Sequence, residues 1–303
     1  MASAPPSAPS LPGAPRVKRP RAVRWLLWTL AGAAVVTAGA VAAVYAGSEW
    51  ILRRARQAPL EPLPVLAAPA DLAEGERLAK IVGCWAGCHG MQGEGDVEAA
   101  PGIFSAVAPT LSAVLPLYSD AELARLVRYG VKRDGRTAIG MISGTFHPLG
   151  DEDLARIVAH LRRQPASPPV ERERRMTLLG RLALVTGRWQ ASADEVDRAQ
   201  PRWGNLPRRT PFEQGRYLVS ITCTECHGFD LRGEAFEGSP SLAVVAAYRP
   251  EQFRHLLRTG EPLDGRDLGL MSWVAKNGFA HFTDAESDAI HAYLRAYHLE
   301  GRR

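Results

Sequence analysis

Cysteine is scarce. The 303 residues hold four, Cys84, Cys88, Cys223 and Cys226, in two close pairs that are each followed directly by histidine. If both pairs are engaged, no thiol remains for a disulfide framework, a zinc site or nucleophilic catalysis. The chain also lacks a lysine-rich block or an aromatic-basic stripe, and its net charge is a modest +5, so nothing argues for nucleic acid as a partner. Hydrophobic residues at 46% and charged residues at 23% are ordinary for globular protein, and the length suits two or three domains.

Charge is absent from one long stretch. Trp25–Gly47 has 23 residues without a charged side chain, enough to span a bilayer. Trp25, Trp28 and Tyr45, with Trp50 just beyond, suit the two interfaces. Residues 1–24 before it are expected to be a disordered basic tail, with Arg16, Lys18, Arg19, Arg21 and Arg24 placing it in the cytoplasm. Arg53, Arg54 and Arg56 on the far side weaken that orientation without reversing it. The competing reading is a signal peptide cut near Val44-Tyr45-Ala46; its apolar core is normally shorter. Residues 48–70, with Pro59, Pro62, Pro64 and Pro69, read as an extended spacer.

Cys223-Thr224-Glu225-Cys226-His227 is the attachment pattern of a c-type haem. Two thiols three positions apart share one face of a helical turn, so both meet one porphyrin edge, and the histidine projects at the iron. The competing reading, half of a zinc site, needs a second ligand pair at similar spacing.

The remaining chain carries one unit twice, over residues 71–164 and 211–303, joined by a linker at 165–210. Gly75-x-x-Leu78 matches Gly215-x-x-Leu218, His89-Gly90 matches His227-Gly228, and Pro109-x-Leu111 matches Pro240-x-Leu242. Tyr129-Gly130, Asp134-Gly135-Arg136 and Met141 then recur as Thr259-Gly260, Asp264-Gly265-Arg266 and Met271, all at an offset of 130. The last segments, from Ile157 to Arg162 and from Ile290 to Arg295, have apolar residues at helical spacing behind acidic starts. Within the linker, Met176–Trp189 is apolar enough for a short helix or a strand pair.

In their order, these motifs make each unit resemble a class I cytochrome c domain. The second unit also resembles the cytochrome subunits of membrane-bound alcohol and sugar dehydrogenases, through Gly-Arg-Tyr-Leu-Val, Arg-Thr-Gly, Asp-Gly-Arg and Met-Ser-Trp. The resemblance covers about three-fifths of the chain. It implies an all-α architecture of two tandem domains after a transmembrane helix, with two covalently attached haem c groups. It implies His89 and His227 as proximal iron ligands and Met141 and Met271 as distal ones. The backbone carbonyls of Pro109 and Pro240 would then accept the other ring N–H of each histidine. Arg136 and Arg266 are candidates for a haem propionate or for plain solvation, and His147 and His281 are alternative distal ligands.

The first motif departs from the pattern. Cys84-Trp85-Ala86-Gly87-Cys88-His89 has three residues between its cysteines, not two. Three outcomes fit: full attachment through a looped-out motif that Gly87 permits, one thioether from Cys88, or no haem in this half.

The function implied is single-electron transfer between redox protein partners in a respiratory chain, with the haem domains on the periplasmic side of a bacterial inner membrane. A tightly bound cytochrome subunit of a membrane dehydrogenase or oxidase is the alternative. A dihaem peroxidase or thiosulfate-oxidising enzyme is the third class, and it needs an open iron position that the two methionines deny.

Overall fold

The computed structural model describes residues 21–66, 68–84, 87–100, 104–168, 175–234 and 238–301. Most of the expected N-terminal tail, Trp85 and Ala86 of the first motif, and most of the charged run Glu171–Arg175 lie outside those residues.

The protein is helix-rich. Helix α1 (Arg21–Arg53) extends beyond the apolar stretch at both ends, and its 33 residues reach about 50 Å. Residues 21–40 are exposed all round, with none of the described residues covering them. Helix α2 (Pro69–Ile81) follows, with proline in its first turn, where the missing N–H costs nothing. Strands β1 (Asp96–Ala100) and β2 (Phe104–Ala108) come next, then short α3 (Leu111–Val114), α4 (Asp120–Tyr129), short α5 (Ser143–Phe146) and α6 (Asp151–Leu161). The connecting segment carries β3 (Arg175–Met176) and α7 (Leu178–Val185). The C-terminal part holds α8 (Pro211–Thr222), α9 (Thr224–His227), α10 (Pro250–Thr259), α11 (Leu270–Asn277) and α12 (Asp284–Leu299).

The three strands form a small antiparallel sheet in the order β1-β2-β3, with Ser105 opposite Arg175. An all-α reading misses it. Its origin is a length difference between the two units: twenty residues separate His89 from Pro109, but only thirteen separate His227 from Pro240. The added residues contain Val97, Phe104 and Val107 on either side of Pro101-Gly102, which is a hairpin signal.

Two helix pairs dominate the packing, α2 on α6 and α8 on α12. Each crosses at a glycine. A Cβ on Gly75 would overlap the Arg156 carbonyl, and one on Gly215 would overlap the Ala289 carbonyl. These are the glycines of the repeated Gly-x-x-Leu, whose leucines, Leu78 and Leu218, are buried beside them. Helices α4 and α10 end alike, on Gly130 (φ 63°) and Gly260 (φ 73°), whose N–H groups bond to Leu126 and Leu256. Buried side chains of both halves, from Leu78 to Leu294, form one continuous cluster.

The two halves also meet through polar contacts. The buried Tyr217 hydroxyl donates to Asp153 at 2.7 Å, and Gly150 lies against the backbone of Gly204. Arg77 of α2 donates to Glu286 of α12 and to the carbonyl of His281. The residues after α1 are tied down as well. Arg56 donates its N–H to Gly135, Arg54 and Arg56 pair with Asp194, and Glu61 accepts from Arg128, Tyr129 and Arg202. The proline-containing segment therefore lies on the first half instead of standing free as a spacer.

Gly215→Ala is expected to cost about 3 kcal/mol, because the crossing helices must separate to admit a methyl group. Denaturant unfolding of the purified protein measures this, and an unchanged midpoint would mean that the contact is not close in solution.

Candidate functional site

The second motif begins where α8 ends. Cys223 closes α8, and residues 224–227 add one helical turn, with the His227 N–H bonded to the Cys223 carbonyl at 3.0 Å. His227 is 9% exposed, and its Nδ1 lies 2.8 Å from the Pro240 carbonyl. That contact makes Nδ1 the protonated nitrogen, because a carbonyl can only accept. Nε2 makes no hydrogen bond among the described residues and is left with its lone pair. Burial lowers the pKa of the ring, against a smaller opposing effect from the Pro240 bond, so it stays neutral as a metal ligand must. Gly228 follows at φ 75°, and the Gly233 N–H returns to the His227 carbonyl at 2.9 Å.

The first motif repeats the histidine arrangement. His89 Nδ1 lies 2.9 Å from the Pro109 carbonyl, Gly90 has φ 83°, and Gly95 returns to the His89 carbonyl at 2.8 Å. Burial depresses this histidine too. The cysteine loop differs. The Cys88 N–H bonds to the Gly83 carbonyl, five residues back, at 3.0 Å, and Gly83 adopts φ 72°. Gly87 has an ordinary φ, and a Cβ there would overlap the Gly83 carbonyl. The glycine is thus required for close backbone approach, not for the conformational freedom expected of it.

The leading cysteine of each motif faces inward. Cys84 and Cys223 pack against the buried cluster, and desolvation pushes their thiols up to about 12 and about 11. Cys226 is half-buried and Cys88 is exposed. Met141 and Met271 are half-buried against the same cluster. The segment that carries each is tied to the preceding helix by a serine hydroxyl that the sequence reading did not single out. Ser143 donates to Leu126 of α4 at 3.1 Å, and Ser272 donates to Gly260 at the end of α10 at 2.7 Å. The signal was available, since both serines follow the aligned methionines within two residues.

The other candidates separate clearly. His147 is buried, with Nδ1 3.2 Å from the Arg128 carbonyl and its ring edge-on to Tyr129. His281 is exposed on a single 3-10 turn. Asp134-Gly135-Arg136 and Asp264-Gly265-Arg266 are the same turn twice: the Arg136 and Arg266 N–H groups bond to the aspartates two residues back, around glycines at φ 77° and 70°. Both arginine side chains are exposed and, among the described residues, pair with those aspartates alone. Turn formation accounts for the recurring triplet.

The methionine segment of the first half sits on the cysteine motif of the second. The Thr145 hydroxyl in α5 accepts from the Thr224 hydroxyl, inside the Cys-x-x-Cys-His turn, at 3.2 Å, and both are buried. Gly144 has the Phe229 ring and the Glu195 side chain closely against it. The Glu195 carboxyl makes no hydrogen bond or ion pair among the described residues, and desolvation raises it from 4.5 to about 7.

Residues 210–294 match the family described as cytochrome c oxidase, cbb3-type, subunit III. The match opens at Thr210, the N-cap of α8, and closes at Leu294 in α12, so it takes in the motif, Pro240 and Met271. No curated protein matches the chain. The match makes this segment a cytochrome c domain, which implies covalently held haem c and redox partners. The residues present suit that group: two thiols on one turn, a neutral imidazole with a free Nε2, and a thioether on the same buried cluster.

Glu195 generates a pH-dependent expectation. Below 4.5 the carboxyl is protonated in both the folded and the unfolded chain and has no effect on stability. As pH rises towards 7 the unfolded chain releases the proton while the folded one retains it, so stability falls. Glu195→Gln is therefore expected to raise unfolding free energy at pH 8 by about 1–2 kcal/mol and to leave it unchanged at pH 4. Urea denaturation at the two pH values tests this, and an equal effect at both would place the carboxyl in water.

Proposed function

We propose that the protein is a membrane-anchored dihaem cytochrome c that transfers single electrons between periplasmic-side redox partners of a bacterial respiratory chain. The observation that carries this reading is the duplicated histidine–proline contact, at 2.9 and 2.8 Å, each beside a cysteine pair and each leaving one imidazole nitrogen without a hydrogen bond among the described residues.

When bound, each haem c supplies an iron centre that takes up and releases one electron. The chain's own residues do the rest. Cys223 and Cys226 hold the porphyrin edge, and Cys84 and Cys88 do the same across a loop one residue longer. His227 and His89 present Nε2 to the iron. The Pro240 and Pro109 carbonyls orient each ring through Nδ1–H and strengthen its donor nitrogen. Met271 and Met141 would supply the iron with soft, neutral sulfur, which would favour the reduced state and leave no open position for a substrate. Electron transfer thus fits this site better than peroxidase or thiosulfate chemistry.

The contact between Thr145 and Thr224 supports passage within one chain, because the distal segment of the first site rests on the attachment turn of the second. The apolar helix α1 supports the anchor, and the basic residues before it support periplasmic haem domains. A second reading has its own support. The family matched by residues 210–294 is named for an oxidase subunit, which favours a cytochrome subunit held tightly in a membrane oxidase or dehydrogenase complex.

The pyridine haemochrome of the purified protein is expected to show two haems per chain, and half that amount would restrict attachment to Cys223–His227. Mild detergent extraction followed by native electrophoresis divides the two readings. A free carrier migrates alone, and a subunit comigrates with a larger redox protein.

A further inference from the structure

Helix α7 buries Leu184 but turns its one charged side chain inward and four apolar side chains outward. Leu178, Leu182 and Val185, at helical spacings of four and three, lie on one face and are 43%, 44% and 39% exposed; Leu179 beside them is 58% exposed. The charged residue of the helix, Arg181, points inward. Its Nη1 donates to Ser48 and to Glu49, both at 2.8 Å, and its guanidinium lies 4.5 Å from the Tyr45 ring centroid. Ser48 is completely buried by this contact, and Val185 lies against Gly47. Thr177 caps the helix start and Gly187, at φ 72°, follows its end, so the segment is a complete helix and not a frayed loop.

The position of α7 along α1 decides what covers its leucines. The helix sits beside residues 45–49, at the outer end of the apolar stretch Trp25–Gly47. Val185, on its apolar face, lies against Gly47 at the end of that stretch. Trp50 (62% exposed) lies just beyond, and exposed Arg175 and Arg188 flank the helix on either side. Leucines outward, aromatic residues at the same level and cations at the ends are the features of a helix lying at the boundary between acyl chains and headgroups.

We infer that α7 is a second membrane contact, an interfacial helix that lies in the outer leaflet against the anchor, its partner being the lipid bilayer. The inference rests on the reading of α1 as a membrane anchor. The buried Arg181 bridge couples the two helices, and the Arg56 N–H bond to the Gly135 carbonyl couples α1 to the first half. The redox domains are thereby held at a set orientation to the membrane instead of swinging on a tether.

The test uses the full-length holoprotein in phosphatidylcholine–phosphatidylglycerol liposomes doped with phosphatidylcholine carrying a diazirine on its acyl chain. After irradiation, adducts are mapped by peptide mass spectrometry. Adducts are expected in α1 and in residues 178–185. Labelling of α1 with none in α7 overturns the inference and leaves the anchor intact, whereas labelling of neither removes the anchor reading itself. In Leu178→Glu/Leu182→Glu the α7 adducts are expected to fall at least about tenfold, since two outward apolar side chains are replaced by carboxylates. Labelling of α1 and the haem spectrum should not change. Equal α7 labelling in that variant also overturns the inference.

Discussion

The close crossing of α8 over α12, and of α2 over α6, is the constraint from which the rest follows. Gly215 and Gly75 let one helix backbone touch the carbonyl of the other, and no side chain fits between. The crossing fixes the placement of α8, and Cys223 stands at its end, two turns beyond Gly215, so the cysteine–histidine turn starts from a helix held by that packing. The Pro240 carbonyl then fixes the rotation of the imidazole. A ligand on a short turn alone would sample many orientations. Here its backbone and ring are each held by a separate bond, and burial keeps the ring neutral.

The two halves do not behave as beads on a string. They share one buried cluster, and several polar contacts cross between them: Tyr217 to Asp153, Arg77 to Glu286 and Thr224 to Thr145. The last is placed where it matters most for electron passage. The connecting segment takes part in this assembly. Ala191, Ser192 and Ala193 are buried, Ser192 lies against Gly130, and Asp194 receives the arginines that follow α1. A region that reads as a long proline-bounded connector is therefore part of the packing that joins anchor, first half and second half.

The order of the motifs carried the helices, because these depend on short-range spacing, and the resemblance that this order supports implied the histidine–proline pairing. A Cys-x-x-Cys-His turn, a positive-φ glycine after histidine and a glycine that ends a helix are all written within a few residues. The sheet of β1, β2 and β3 was missed because its cause is a length difference that emerges only when the two His-to-Pro intervals are compared. The role of Gly87 was misassigned because close approach to Gly83 depends on the folded loop, whereas flexibility is the default expectation for any glycine.

By itself, then, the sequence determined the chemistry: which residues come in pairs, which side chains suit a covalently held haem, and which stretch is apolar enough to cross a membrane. Tertiary structure alone decided how those parts face one another. Arg181 turned inward to Glu49, leucines turned outward on α7, and Thr145 set on Thr224 are contacts between residues about 80 to more than 130 positions apart. No local pattern encodes such a separation, since it is settled by which surfaces remain to be buried once the helices have formed.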